Sequence, residues 1–224
     1  MQGIFFAHLL HDSSVRSAAL FIRSCVIRVQ NWHIKNIFVQ SFKMANEIIL
    51  NSEQFELTIN RLCYQLIENH NDFSNSAIIG LQPRGIYLAN RLQKVIKAKA
   101  DIEVQTGGLD ITFFRDDFRR TDRPLIPSAT NMDFIVEGKK VILVDDVLYT
   151  GRTVRAGLDA TMTFGRPSTV ELMALIDRRF SRNLPIEPNY VGKSVDTIES
   201  ERVTVNWAEV DGEDQVILYT PEDE

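Results

Sequence analysis

One segment of the sequence constrains the fold more than any other. Residues 141–144 are four consecutive apolar residues, three of them β-branched, which is typical of a strand buried on both faces. Asp145 and Asp146 follow directly, and a short loop rich in hydroxyl groups leads into a helical pattern over residues 153–164. This order predicts that two carboxylates, a small-residue loop and a helix N-terminus meet at one edge of a sheet.

An edge of this kind suits a phosphorylated sugar. Backbone N–H groups at a helix start point toward an anion, and the helix dipole favours negative charge there. Because Asp145 and Asp146 repel phosphate, we expect them to bind ribose hydroxyls, or Mg²⁺ with its water ligands. An ordinary strand-to-helix turn needs only one capping residue, whereas this segment contains two Asp, two Thr and a Gly. The sequence contains neither the P-loop pattern Gly-x-x-x-x-Gly-Lys-Ser/Thr nor the dinucleotide pattern Gly-x-Gly-x-x-Gly.

Four segments together carry a resemblance to a known family. Residues 141–153 resemble the phosphoribosyl pyrophosphate (PRPP) signature of type I phosphoribosyltransferases. Residues 82–89, 109–117 and 190–193 resemble, in the same order, the PyrR family of pyrimidine-operon attenuation regulators and uracil phosphoribosyltransferases. The resemblance covers about residues 46–219 and implies an α/β, type I phosphoribosyltransferase fold. In that fold a mostly parallel central sheet is flanked by helices and accompanied by a small hood and a long mobile loop.

The residue patterns predict the same class of fold on their own. Apolar residues at helical spacing between Phe55 and Leu66 predict a helix, and a buried strand over residues 77–81 precedes a second helix over residues 86–99. A further strand is predicted from Ile102 to Phe114, with an interruption near Gly107. Alternating strands and helices indicate a mostly parallel sheet with helices on both faces.

The resemblance also implies roles for individual residues at the catalytic end. Arg84 follows a buried strand, where ligands bind in α/β sheets, and is assigned with Gly85 to pyrophosphate. A cis Gln82–Pro83 bond is a hypothesis for this loop. The predicted catalytic residues are Asp145, Asp146, Arg84 and Arg115.

Three further groups of site residues follow from the resemblance. The 5′-phosphate of PRPP is assigned to Leu148, Tyr149, Thr150, Gly151, Arg152 and Thr153. The lid over PRPP is assigned to Arg115, Asp116, Asp117, Arg119 and Arg120, although a solvated charge run has a similar composition. The base is assigned to Tyr190, Val191 and Lys193, with Tyr190 or Phe180 stacking on uracil.

The implied reaction makes UMP and pyrophosphate from uracil and PRPP. Its transition state has oxocarbenium character, so the enzyme has to neutralise pyrophosphate and exclude water rather than supply a nucleophile. The implied cofactor is Mg²⁺ bound with PRPP near Asp145 and Asp146, without a dedicated protein cage. His70, at a helix end, is interpreted as a cap or surface residue, and Cys63 as a core residue. A purine-base enzyme of the same fold remains an alternative.

A second alternative is a UMP-responsive, RNA-binding transcription attenuator in which catalysis is secondary. Residues 44–224 hold 20 Lys and Arg against 29 Asp and Glu, so the body offers no general attraction to RNA. The first helix offers Arg61, and Gln82–Pro83 stands where the family often has Lys-Thr. A local basic patch remains open around Arg178, Arg179 and Arg182. The expected partners are PRPP, uracil, UMP and a pyrimidine-leader mRNA, with a homodimer or larger assembly.

The N-terminal part differs in composition from the rest. Residues 1–43 carry five Lys and Arg but one acid, Asp12. They are interpreted as a leader outside the family match. The explanations left open are a translated upstream segment before a natural start at Met44, a disordered or weakly helical tail, and a targeting peptide. Residues 44–224 are the expected phosphoribosyltransferase domain. Two Cys without disulfide or metal spacing, and no apolar run of about 20 residues, favour a cytoplasmic protein without a membrane partner.

Overall fold

The structure, a computed structural model, describes residues 46–116 and 127–221. The leader, residues 1–43, lies outside the described residues, and so do Asp117, Arg119 and Arg120 of the expected lid. The structure therefore leaves the interpretation of the leader as a prediction.

The centre of the protein is a parallel sheet with the strand order β3-β2-β4-β5-β6. Its five strands are β2 (Ser76–Leu81), β3 (Gln105–Leu109), β4 (Lys140–Leu148), β5 (Thr169–Arg179) and β6 (Tyr190–Asp196). Every residue of β2 is buried, as a continuous apolar run between two layers of helices requires. The predicted α/β class and parallel sheet are confirmed.

Helices cover both faces of this sheet. They are α1 (Ser52–His70), α2 (Gly85–Ala100) and α3 (Arg152–Thr161), whereas the short α4 (Ala208–Asp211) lies near the C-terminus of the chain. The apolar faces of α1 and α2 pack with Ile78 and Ile142, whereas α3 packs on the other face with Leu81 and Leu143. Alternate residues of each strand thus enter opposite cores.

A second, antiparallel sheet forms the hood. It consists of β1 (Glu47–Leu50), β7 (Arg202–Asn206) and β8 (Gln215–Tyr219), in the order β1-β8-β7. The last two strands pair antiparallel, and α4 lies in the connection between them. Trp207 of this connection is wholly buried and meets the Phe55 ring edge-on at 5.2 Å, which fixes the hood connection on α1.

The strand expected from Ile102 to Phe114 is shorter than predicted. It ends at Leu109, and Thr112–Phe114 form a 3-10 helix. Asp110 explains the change, because its Oδ1 accepts hydrogen bonds from the backbone N–H of Thr112 at 3.1 Å and from its hydroxyl at 2.6 Å. Such a local turn competes with continued strand pairing.

Glycine at position 85 allows α2 to start against β4. A Cβ atom there would lie 2.4 Å from the carbonyl oxygen of Val144, and no side chain can be accommodated at that distance. The N-terminus of α2 consequently reaches the carboxyl end of β4, where Asp145 and Asp146 lie. No helix in residues 46–116 and 127–221 is both long enough and apolar enough to cross a membrane.

The two faces of α1 give a test of the fold. Replacing the wholly buried Leu66 with Ala is expected to lower the free energy of unfolding by about 2–5 kcal/mol, because the deletion leaves a cavity. The same replacement at Leu57, 62% exposed on the same helix, is the matched control, with an expected change below about 0.5 kcal/mol. Urea denaturation followed by circular dichroism measures both. Equal losses would contradict the assigned faces.

Candidate active site

The loop after β4 and the start of α3 form a cradle. A cavity of about 250 Å³ lies here, and its walls include Thr150, Gly151 and Thr153. Gly151 has a φ of +87°, a left-handed conformation that favours glycine, and it precedes α3. Gly151 offers no side-chain cap, and the N–H of Arg152 donates a long bond of 3.4 Å to the Thr150 hydroxyl. The N-terminus of α3 thus lies at the wall of the cavity, where backbone N–H groups can bind an anion.

Asp145 and Asp146 lie at the carboxyl end of β4, beside this cradle. Asp145 is 6% exposed, and its Oδ1 accepts the N–H of Asp146 at 3.0 Å. Asp146 Oδ1 in turn accepts the N–H of Val147 at 2.8 Å. Burial raises the pKa of both carboxyls, and the charge of Asp146 raises that of Asp145 further. The Val147 N–H and Arg84 act in the opposite direction on the pKa of Asp146.

Arg84 connects this acid pair to the hood. Its Nε lies 3.6 Å from Asp146 Oδ2, while its Nη2 donates to Asp211 Oδ2 at 2.6 Å and to the Val205 carbonyl. The expected cis bond is present at Gln82–Pro83, immediately before it. The guanidinium is thus held between two carboxylates rather than extended into solvent.

The described start of the expected lid lies over the cradle. Arg115 lines the same cavity as Asp145, and its charge lowers the pKa of that carboxyl. Asp116 forms an ion pair with Arg152 of α3. The structure therefore brings the beginning of the long loop to the PRPP signature.

Arg182, which the sequence offered only as part of a basic patch, supports the site. Its guanidinium donates to the carbonyls of Leu148 and Tyr149 and forms an ion pair with Asp177. The backbone N–H of Asn183 adds a 3.1 Å bond to the Thr150 carbonyl. The segment after β5 thereby fixes the backbone of the signature loop, and nothing in the local sequence of Arg182 indicated this role.

A second cavity of about 300 Å³ adjoins the cradle. It shares Tyr149 and Thr150 with the cradle, and its other lining residues are Phe180, Ser181, Arg182, Asn183, Thr197 and Glu199. Arg178 lies behind it, 3% exposed, with its guanidinium 4.0 Å from the centre of the Tyr149 ring. A planar ligand in this cavity would lie next to the loop that follows the acid pair.

Comparisons with known proteins agree with this geometry. Residues 45–210 match the model of the phosphoribosyl transferase domain family. The chain is 44% identical to the bifunctional protein PyrR of Halalkalibacterium halodurans over 176 residues, which is 77% of this chain and 97% of the relative. It is 42% identical to the bifunctional protein PyrR of Actinobacillus pleuropneumoniae serotype 5b, over 80% of this chain and 99% of the relative.

The chain belongs to the PyrR family. The resemblance read from the four sequence segments is confirmed. Among solved structures it is similar to a hypoxanthine phosphoribosyltransferase from Staphylococcus aureus, with a TM-score of 0.59 over 78% of this chain and 92% of that chain. At 19% identity, that similarity shows the fold.

The expected base-binding residues of this PyrR chain are not all brought to the cavities. Tyr190 is 5% exposed, and its hydroxyl donates to Glu171 at 2.6 Å and accepts from Asn69 at 3.0 Å. The ring therefore presents no face for stacking, and we correct this assignment. Lys193 donates to the Ile49 carbonyl at 2.8 Å and connects β6 to β1. Val191 lines a separate cavity of about 360 Å³, on which Phe180 also borders.

His70 is a core residue, and its interpretation as a cap or surface residue is wrong. The side chain is 1% exposed, with Nδ1 2.9 Å from Ser76 Oγ and Nε2 3.2 Å from Glu171 Oε2. These partners lie on β2 and β5, so they are invisible from the end of α1 in the sequence. Cys63 is buried as predicted, and burial raises the pKa of its thiol to about 12.

The burial of Asp145 predicts that its carboxylate lowers the stability of the folded protein at neutral pH. Folding raises the pKa of Asp145, so its protonated form stabilises the folded state. This contribution to the free energy of unfolding is fully present below the ordinary pKa of about 3.9, and it is lost as the pH rises through the raised pKa. Asp145→Asn is therefore expected to raise the free energy of unfolding at pH 7, without substrate, by about 0.5–2 kcal/mol. The gain should shrink toward pH 4. Urea titrations at both pH values measure it, and a loss of stability at pH 7 would contradict this assignment.

Proposed function

We propose that this chain transfers the 5-phosphoribosyl group of PRPP to uracil, giving UMP and pyrophosphate, with Mg²⁺. One observation carries the proposal: a single cavity brings together the α3 N-terminus, Asp145 and Arg115. Phosphoribosyl transfer needs a phosphate cradle, acceptors for ribose and positive charge at the leaving group in this arrangement. We take residues 44–224 as the catalytic domain, and we infer a cytoplasmic homodimer or larger assembly from the family.

The 5′-phosphate is bound at the start of α3. Backbone N–H groups of Gly151, Arg152 and Thr153 and the hydroxyl of Thr150 supply the donors in this proposal, and the helix dipole adds to them. Leu148 has a different task, because its side chain is 1% exposed and its carbonyl accepts from Arg182. In this proposal its backbone holds the loop in place, and its side chain packs in the core.

The ribose hydroxyls and Mg²⁺ are assigned to Asp145 and Asp146. Carboxylate oxygens are the ligands that Mg²⁺ prefers, and a site with one or two carboxylates leaves the remaining positions to water and to PRPP. In residues 46–116 and 127–221, no three His, Cys, Asp or Glu side chains cluster as a protein metal cage would. When bound, Mg²⁺ supplies positive charge to the pyrophosphate oxygens.

Pyrophosphate is placed between the α2 N-terminus and the lid. The helix begins at Gly85 without a side-chain cap, so its N–H groups are available to an anion. Arg115, which lines the cradle together with Asp145, adds a cation. As C1 of the sugar loses its bond to pyrophosphate, these donors stabilise the departing charge, and the lid excludes water from the oxocarbenium centre.

Uracil is placed in the cavity beside Tyr149. Phe180 is 83% exposed at its rim and has a φ of +63°, which is unusual for a bulky residue and is found most often at functional sites. We assign its ring to stacking on the base. The hydroxyls of Ser181 and Thr197 and the amide of Asn183 are the polar groups available to the uracil edge.

Regulation through a pyrimidine-leader RNA is the second function that family membership favours. In the described residues, however, each arginine of the expected patch already has a partner or is buried: Arg178 is buried, Arg179 forms an exposed ion pair with Asp196, and Arg182 pairs with Asp177. Arg61 donates to the Val191 and Gly192 carbonyls. Gel-shift titration with a leader hairpin is the measurement for this activity.

The proposed reaction is tested by pyrophosphate release from the full chain. With PRPP and Mg²⁺, we expect release with uracil, at least about tenfold faster than with hypoxanthine, guanine or adenine, because a site with fixed donors rejects a base that leaves them unpaired. Omission of Mg²⁺ should abolish release. Release with a purine alone would overturn the assignment of uracil as the base but would still support phosphoribosyl transfer.

The lid assignment is tested at Arg115. Arg115→Gln is expected to lower kcat by about a hundredfold, because a donor aimed at the charge that develops in the transition state is lost. Arg166→Gln, at an exposed position outside the cavities described above, is the matched control and should leave kcat unchanged. Steady-state pyrophosphate release and thermal denaturation measure turnover and stability separately. An unchanged kcat in Arg115→Gln would remove Arg115 from the mechanism.

A further inference from the structure

The α4 connection carries two carboxylates that hold arginines of the pyrophosphate-loop helix in parallel ways. Asp211 Oδ2 accepts the N–H of Trp207 at 2.9 Å and Arg84 Nη2 at 2.6 Å. Asp214 Oδ1 accepts the N–H of Ala208 at 2.8 Å and an N–H of Arg91 at 2.7 Å. Each carboxylate thus caps one backbone N–H of the connection and binds one guanidinium.

Arg84 and Arg91 differ in their other contacts. Arg91 packs over the rings of Trp207 and Phe55, at 5.1 and 5.6 Å from their centres, and also pairs with Glu209. It is therefore a structural contact between α2 and the hood. Arg84 instead reaches the acid pair, with its Nε directed toward Asp146.

The Nε of Arg84 shows which partner holds this guanidinium in place. That nitrogen is buried and makes no hydrogen bond, because its 3.6 Å separation from Asp146 Oδ2 is beyond hydrogen-bonding distance. The short contacts are those of Nη2 with Asp211 and with the Val205 carbonyl. Asp211 supplies the one negative charge among these hydrogen-bonding partners.

We propose that Asp211 is a positioning residue for the pyrophosphate end of the site. It fixes Arg84 beside Asp146, so that the cation is in place before PRPP arrives and the hood is coupled to the N-terminus of α2. This inference rests on the proposed function, because it takes the Arg84–Gly85 turn as the pyrophosphate loop. Preorganised charge of this kind avoids reorganisation during the reaction.

Asp211→Asn and Asp214→Asn form a matched pair for the test. Both variants keep the side-chain shape and an oxygen that can cap the backbone N–H, and both remove the charge that faces an arginine. We expect Asp211→Asn to weaken binding of magnesium pyrophosphate about tenfold, which corresponds to about 1.4 kcal/mol. It should raise the KM for PRPP and leave the KM for uracil unchanged. Asp214→Asn should alter the melting temperature alone.

A double-mutant cycle with Arg84→Gln separates positioning from general stability. If Asp211 acts through Arg84, Asp211→Asn has no further effect on pyrophosphate affinity in the Arg84→Gln background, whereas independent effects would add. Asp211→Glu, which restores the charge, should recover part of the affinity. Additive losses, or equal affinities in Asp211→Asn and wild type, would overturn the inference.

Calorimetry with magnesium pyrophosphate does not depend on turnover. It therefore distinguishes failure of this inference from failure of the proposed function. Wild type that releases pyrophosphate with uracil, together with an unaffected Asp211→Asn, would overturn the positioning role alone. Wild type that is inactive with every base, together with a tenfold weaker affinity in Asp211→Asn, would uphold the positioning role and overturn the assigned reaction.

Discussion

Two adjacent carboxyls buried at the end of β4 are the constraint on which the rest of the site depends. Burial and mutual repulsion raise the pKa of Asp145, and a core of apolar residues would avoid that cost. Positive groups from the surrounding elements lie close to the two carboxyls. Arg84 lies on one side of the pair, Arg115 lies in the adjoining cavity, and the N-terminus of α3 lies just beyond the loop. Each supplies a positive charge, or the positive end of a helix dipole, that favours the ionised form of the carboxyls.

The geometry of the backbone makes this concentration possible. Parallel strands end at one edge, so β2 and β4 deliver their following helices to the same place. Gly85 removes the side chain that would keep α2 away from Val144, and Gly151 allows the left-handed turn before α3. Two helix N-termini thereby converge on one acid pair. An anion with two phosphate groups some distance apart is the ligand that this pair of dipoles fits.

Local patterns in the sequence were sufficient to predict the sheet, its flanking helices and the cradle. The run from Val141 to Thr153 encodes its strand, its acids and its helix start within thirteen neighbouring residues. The roles of His70, Tyr190 and Arg182 could not be read in this way. The partners of His70 and Tyr190 belong to other helices and strands, up to 121 positions away along the chain, and Arg182 acts on the backbone of Leu148. The packing of one element on another decides such roles, and the spacing of apolar residues along the sequence does not reveal that packing.

The distribution of arginines also bears on the second activity of the family. A chain whose residues 44–224 carry an excess of acids attracts neither PRPP nor RNA at long range, so binding has to come from local charge. In the described residues, Arg178 at the end of β5 is buried, Arg179 forms an exposed ion pair with Asp196, and Arg182 pairs with Asp177. Of these charges, Arg182 fixes the loop after β4, whereas Arg178 donates hydrogen bonds to Thr197 and to the Glu201 carbonyl. If this chain also binds a leader RNA, most of the contacts come from residues outside this patch, and RNA binding and catalysis then use different parts of the surface.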